Sequence, residues 1–299
     1  MKKIKDLRLN FLLQIIIAFL ITASLALATA NSMTTGKVAY TSEPVQSVYV
    51  PPPVITSTVP VYQPVEIGVF QFLVSFLIAT LLMLLFLKIL KGKLMFEVFF
   101  SGAIIFGAQG PLGIIFVKFT AFLGAIAIVA LRFIYPRIWT QNVAIIIGIA
   151  GIAASLGMSI KPLMALIILI LLSVYDIIAI YKTRHMIKLF KGMAKRGAVL
   201  ALVIPKGFSS WFHKFEIIKP ENKNEFIFLG TGDLALPIFF AVSAFSQGIN
   251  FSLFIIFGAV IGFIINHLIF INQKEKKPIP ALPAIAFFSI LGYAFSFCV

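Results

Sequence analysis

Charge is scarce in this chain. Asp, Glu, Lys and Arg supply 12% of its 299 residues, where a soluble domain carries about 25%. Acid is scarcer still: 10 acidic residues stand against 25 basic ones, and the only aspartates are Asp6, Asp176 and Asp233. There is a single cysteine, Cys298, so an intrachain disulfide and a cysteine-built metal site are both excluded. The three histidines, His185, His213 and His267, are scattered without metal-ligand spacing. Neither a bound metal nor any other cofactor is expected.

What fills the chain instead is hydrocarbon. Hydrophobic residues make up 61%, well above the ~45–50% of soluble domains. The composition is that of an integral membrane protein, with the lipid bilayer as its first partner. A net charge of +15 in a soluble protein would point to nucleic acid. Here it marks cytoplasmic loops, and no nucleic-acid partner is expected.

A transmembrane helix needs ~20 mostly apolar residues. Nine such stretches lie near 11–30, 69–90, 96–116, 118–134, 142–159, 162–181, 226–248, 250–271 and 280–298. The third and fourth are parted only by Gln109, Gly110, Pro111 and Lys118, the first three of which read as a kink and packing site. With a cytoplasmic N-terminus, 22 of the 25 Lys and Arg fall inside, and only Lys37, Lys118 and Lys161 fall outside. The expected fold is therefore an all-α, nine-span, multi-pass membrane protein with its C-terminus extracytoplasmic. In a prokaryote it would sit in the cell membrane. Residues 1–30 also carry the basic start and "ATA" of a cleavable signal peptide, but the apolar run from Phe11 to Ala28 is longer than a signal core and favours a retained helix.

The chain divides into three parts. Residues 1–181 hold spans one to six and an external Pro-, Ser- and Thr-rich loop, 31–68. Residues 182–225 form a cytoplasmic loop, whose basic amphipathic run from Lys182 to Arg196 suits an anionic membrane surface. Its continuation "AVLALVIPKGF" is β-branched enough to pair as a strand. Residues 226–299 hold the last three spans.

Two of the three aspartates lie inside predicted spans, where acids are rare and mark function. Asp176 precedes the cytoplasmic Lys182 on span six, and Asp233 follows the cytoplasmic Glu225 on span seven. As helices, these offsets put them roughly 9 and 12 Å below the boundary, on consecutive antiparallel segments. Two carboxylates this close in a low-dielectric site do not readily both ionise, so one serves as acid and one as base. That is the requirement for activating water against a peptide carbonyl. Gly230 and Gly232 remove side chains just before Asp233. They permit close approach of span six or of an extended substrate, and they weaken the helix so that "FIFLGTG" can run extended.

"YD" (Tyr175, Asp176), "GTGD" (Gly230, Thr231, Gly232, Asp233) and "PALP" (Pro280, Ala281, Leu282, Pro283) occur in that order on spans six, seven and nine. In this the sequence resembles the presenilin and signal peptide peptidase family of intramembrane aspartyl proteases, most of all its archaeal members. The resemblance covers most of the chain. It implies a presenilin-like fold with Asp176 and Asp233 as catalytic dyad, "PALP" beside the active site helping to admit substrate, and Tyr175 near the dyad. Substrates would be transmembrane segments or signal peptides, and nothing in the sequence requires helper subunits. The lysine bias matches the presenilin orientation and not the inverted one of signal peptide peptidases. Thr231 stands where leucine is common in the family. The loop between spans six and seven lacks a hydrophobic cleavage insert, which argues against self-cleavage into two fragments.

Other readings compete. Paired intramembrane acids also serve proton- or cation-coupled transporters, which show inverted repeats; no two matching halves are visible here. A prepilin-type peptidase also uses a G-x-G-D aspartate, but has fewer helices and no need of "PALP". Tyr175, Asn266 and His267 also fit ordinary interfacial anchoring or interhelical bonding, and Pro237 a bend in span seven.

Overall fold

Among the described residues most apolar runs become helices bounded by residues that stop one. The computed structural model describes residues 2–38, 71, 74, 75, 78, 93–182, 201–205, 207–213, 226–273 and 279–299. Among them are eight α-helices: α1 Lys2–Val38, α2 Lys93–Leu112, α3 Lys118–Ile134, α4 Ile138–Ser159, α5 Pro162–Tyr181, α6 Thr231–Ser243, α7 Ile249–Asn272 and α8 Leu282–Phe295. Two short strands, β1 Ala201–Pro205 and β2 Phe226–Gly230, complete the framework. Pro162 sits in the first turn of α5, where its missing N–H removes no helical bond. Pro111 does not kink a longer helix: α2 ends one residue later, and the Gly113 N–H closes it on the Gln109 carbonyl at 2.9 Å. Of the expected span over 69–90, only residues 71, 74, 75 and 78 are described, and all four are helical. Most of the external loop and most of the basic amphipathic run lie outside the described residues.

Among the described residues four helices are long and apolar enough to cross a membrane, over Asn10–Thr34, Ile138–Ser159, Pro162–Tyr181 and Ile249–Asn272, and α8 is a shorter apolar helix. Their outward faces carry large apolar side chains such as Leu163, Phe106 and Phe257, each about two-thirds exposed. A water-soluble surface rarely shows such a continuous apolar coat; hydrocarbon tolerates it.

The centre of the bundle is α4. Its buried positions are mostly small, among them Ala144, Gly148, Ala150, Gly151, Ala153, Ala154 and Gly157. Small residues let helices approach closely in lipid, where dispersion contacts replace the hydrophobic effect as glue. At the α2 crossing, a Cβ on Gly151 would run into the Gly107 carbonyl oxygen. Helix α1 packs on the same core through Phe19, Ala23, Ala26 and Ala30.

The seventh apolar run departs from expectation. Residues 226–248 are not one helix: 226–230 form β2, 231–243 form α6, and 244–247 form a 3-10 turn. β2 pairs antiparallel with β1, Ala201 opposite Gly230 and Pro205 opposite Phe226. The physical reason is local and tertiary together. Gly230 and Gly232 disfavour helix at this point, and "FIF" suits a strand. Extended backbone at membrane depth must have its polar groups satisfied; β1, buried at all five positions, supplies them.

Candidate active site

Asp233 sits at the junction where β2 becomes α6. Gly230 is the N-cap of α6, so Asp233 occupies the third helical position, in the first turn. Its carboxylate accepts the Gly230 N–H. This is the backward half of a capping box, in which the third residue satisfies the otherwise unpaired N-cap donor. The acid is thus held by its own helix start. Four residues on, Pro237 lies buried inside α6; it has no N–H to give to the Asp233 carbonyl, which loosens the helix just beyond the acid.

Asp176 approaches from α5. It is only 8% exposed, while the adjacent Tyr175 and Ile177 are 54% and 41% exposed. Successive residues turn about 100° around a helix, so the inward stripe of α5 selects Asp176 and turns Tyr175 outward. The Asp176 carboxylate accepts the N–H of Leu282. Leu282 opens α8, and the first N–H groups of a helix have no partner within it. The second oxygen, Oδ2, is buried without a hydrogen-bond partner among the described residues.

The two acids meet: Asp233 lies within electrostatic reach of Asp176. Helices α5, α6 and α8 therefore converge on one pair of carboxylates, each fixed by a main-chain N–H at a helix start. Of the "PALP" residues, Pro280 and Ala281 precede α8, Leu282 begins it and is buried, and Pro283 stands in its first turn. The two prolines of the segment lack N–H groups and could only have presented acceptors. The segment presents a donor instead, because Pro283 starts a helix and leaves the Leu282 N–H pointing outward. The depth expected for Asp233 assumed helix from Glu225 onward; as a strand, 226–230 rises ~3.3 Å per residue, and α5 still meets it.

The sequence model described as signal-peptide peptidase, presenilin aspartyl protease matches residues 16–299. The chain belongs to that family. Two solved structures of presenilin family intramembrane aspartate proteases share its fold. One, in a C222 crystal, has a TM-score of 0.61 at 23% identity and is covered to 98%, with 96% of this chain covered. The other, in a P2 crystal, has a TM-score of 0.61 at 21% identity, covering 96% of this chain and 97% of that one. No curated protein matches the chain. As a member of the family this presenilin-type chain is an aspartic endopeptidase, a hydrolase of the membrane interior.

Within this protease the glycines of "GTGD" separate in role. Neither packs against α5. A Cβ on Gly230 would lie 3.0 Å from Asp233 Oδ2, whereas a Cβ on Gly232 would meet nothing within 4 Å. Gly230 makes room for the carboxylate; Gly232, in the first turn of α6, faces open space. Thr231, between them, is half-buried at the first helical position. Gly230→Ala is expected to lower kcat by roughly 10–10²-fold through displacement of Asp233, with the melting temperature little changed, since φ −59° and ψ 138° suit alanine. Gly232→Ala is expected to keep stability and to raise KM. Steady-state kinetics on a single-span substrate, with thermal scans in detergent, check both; a Gly232→Ala variant that unfolds would contradict the open face.

One further polar group belongs to this neighbourhood. Helices α7 and α8 run antiparallel with Gly262 against Ile285, and one turn on, Asn266 reaches the level of Ala281 and Leu282. Its Oδ1 is buried without a hydrogen-bond partner among the described residues, and the adjacent His267 is 8% exposed.

Proposed function

We propose that Asp176 and Asp233 are the catalytic dyad of this protease, acting on transmembrane segments or signal peptides that unwind beside β2. The observation that carries the reading is the convergence of the only two intramembrane aspartates at one point, each tethered by a main-chain N–H at a helix start. In the reaction one carboxylate takes a proton from water as the oxygen attacks the scissile carbonyl carbon. The protonated partner gives its proton to the carbonyl oxygen as the C=O π electrons move there, which forms a tetrahedral diol. The first carboxyl, now carrying water's proton, gives it to the amide nitrogen while the partner takes one back from a diol hydroxyl; the C–N bond breaks, and a carboxyl and an amine leave. No cofactor enters any step. The open side of Gly232 and the extended approach of β2 favour a substrate lying as extended chain along the loop, with Thr231, Pro280, Ala281, Leu282 and Pro283 around it. Tyr175, on the exposed face of α5, is placed to meet the incoming segment or lipid.

The same reading takes the full topology as nine spans with the N-terminus cytoplasmic, in a multi-pass membrane protein. It divides the chain at 181/182 and 225/226. The lysine and arginine bias supports the orientation, and places the dyad toward the cytoplasmic side, the shorter route for water.

The test is reconstitution of the purified protein in liposomes with a single-span substrate and mass analysis of the products. Cleavage inside the span, blocked by a peptide with a hydroxyl in place of the scissile carbonyl, is expected. Ion movement across the vesicles without cleavage would replace this reading by a carrier. A second expectation concerns pH: kcat/KM rises and falls as a bell, because one acid and one base act together. The two limbs belong to the coupled pair and not to either residue. A monotonic profile from pH 4 to 9 would contradict shared acid–base chemistry.

A further inference from the structure

A two-stranded sheet is marginal on its own, yet β1 and β2 lead directly into Asp233. What holds β1 comes from α4. Asn142 Nδ2 donates to the Val203 carbonyl at 2.6 Å, and Asn142 Oδ1 accepts the Val203 N–H at 3.0 Å. Both residues are wholly buried. A primary amide offers a donor and an acceptor in one plane, as a peptide group does, so Asn142 pairs with Val203 as a neighbouring strand would. In an antiparallel pair a residue directs both main-chain groups to one side and its neighbours direct theirs to the other. With Val203 engaged by α4, Leu202 and Ile204 are turned to β2. A second amide acts beside it: Gln14 Nε2, on α1, donates to the Pro205 carbonyl at 3.2 Å. The chain just after β1 is tied to α4 as well, through the Ile138 N–H and the His213 carbonyl at 3.3 Å.

The far part of α4 holds the other flank of Asp233. A Cβ on Gly157 would lie 2.7 Å from Val242 Cβ and 2.8 Å from the Phe239 carbonyl oxygen, so α6 rests on α4 there. Asn142 and Gly157 are about 22 Å apart along one helix. The β2–α6 junction carrying Asp233 therefore lies between two anchor points on a single rigid element.

From this we infer that Asn142 is a positioning residue: by pinning β1 to α4 it sets the register of β2, and with it where Asp233 meets the substrate backbone. A strand that slips by one residue moves ~3.3 Å and turns its side chains to the other face. Displacement of a reacting group by even 1 Å costs on the order of 10²-fold in rate. The inference rests on the dyad reading for its catalytic consequence, but the clamp itself is open to a separate measurement.

The experiment compares wild type with Asn142→Ala in liposomes by three readouts: kcat and KM on a single-span substrate, the cut positions by mass spectrometry, and hydrogen exchange of peptides containing 201–205 and 226–230. Expected for Asn142→Ala are faster exchange in both strands, a kcat lower by roughly 10²-fold with KM within a few-fold, and cuts spread over neighbouring bonds. A merely structural residue would lower the amount of active protein without moving the cut. Wild-type exchange in the variant overturns the clamp; raised exchange with unchanged kcat and cut overturns the positioning role. Should Asn142→Ala fail to fold, Gln14→Ala, which removes the Pro205 bond alone, is expected to broaden the cuts and lower kcat a few-fold, and no change in either overturns the inference. Absence of cleavage by wild type would instead overturn the dyad reading, leaving hydrogen exchange to judge the clamp.

Discussion

Asp233→Asn and Asp176→Asn each reduce cleavage of a single-span substrate by roughly 10²–10⁴-fold, the range expected for loss of general acid–base catalysis, while both variants stay folded. Asparagine keeps the shape of the side chain and an oxygen to accept the Gly230 or Leu282 N–H. It cannot exchange a proton with water or with the leaving nitrogen. Because the pair acts as a unit, the double variant falls little below either single one. Replacing an intramembrane acid by a neutral isostere removes a costly group, so thermal scans in detergent are expected to show equal or higher melting temperatures. That pairing of lost turnover with retained stability separates a catalytic acid from a structural one. If Asp233→Asn cleaved at the wild-type rate, the dyad assignment would be wrong.

Gly262→Val destabilises the protein by about 1–3 kcal/mol, the usual cost of overpacking, and abolishes most activity although the residue touches neither acid. A Cβ at Gly262 would lie 2.5 Å from Ile285 Cα and 3.0 Å from the Ala284 carbonyl oxygen. These are main-chain atoms, which cannot swing aside as a side chain would, so α8 must move off α7. Leu282, one turn before Ile285, carries the N–H that Asp176 accepts, and it moves with α8. The same helix supplies the control. Phe257 is 65% exposed on the outer face of α7, and Phe257→Val is expected to change stability by under about 0.5 kcal/mol. Melting temperature and turnover measured on both variants decide the matter; a Gly262→Val protein as stable and active as the control would show that the contact is soft.

Much of this was legible one dimension at a time. Hydrophobic runs of span length and the clustering of lysine are local, so the runs expected over 142–159, 162–181 and 250–271 are found as the helices Ile138–Ser159, Pro162–Tyr181 and Ile249–Asn272. The strand character of 201–205 was visible in its β-branched residues, and the weakness of helix before Asp233 in its glycines. The error over 226–248 arose because an apolar run alone does not separate a buried strand from a buried helix. The arbiter was a partner strand some 25 residues earlier, invisible to any local window. Leu282 was noted as part of "PALP", yet its donor role was not, since that depends on which way a helix start faces. Asn142 and Gln14 carry no motif; a buried amide is recognisable as a clamp only once the backbone it serves is in place.

By itself the sequence determined the solvent and the class of chemistry, and offered the residues proposed to carry it: lipid around the chain, two acids where acids are expensive, and glycine and proline beside them. Those are consequences of composition and spacing, which burial cannot reverse. Only the tertiary structure decided how Asp176 is held and what backs β1. The start of α8 reaches the Asp176 carboxylate, and an amide replaces a strand, through contacts between segments 60 or more residues apart, as for Asn142 and Val203. Such contacts are set by packing across the bundle, where small residues let α4, α6, α7 and α8 close to main-chain distance, and no local rule encodes that.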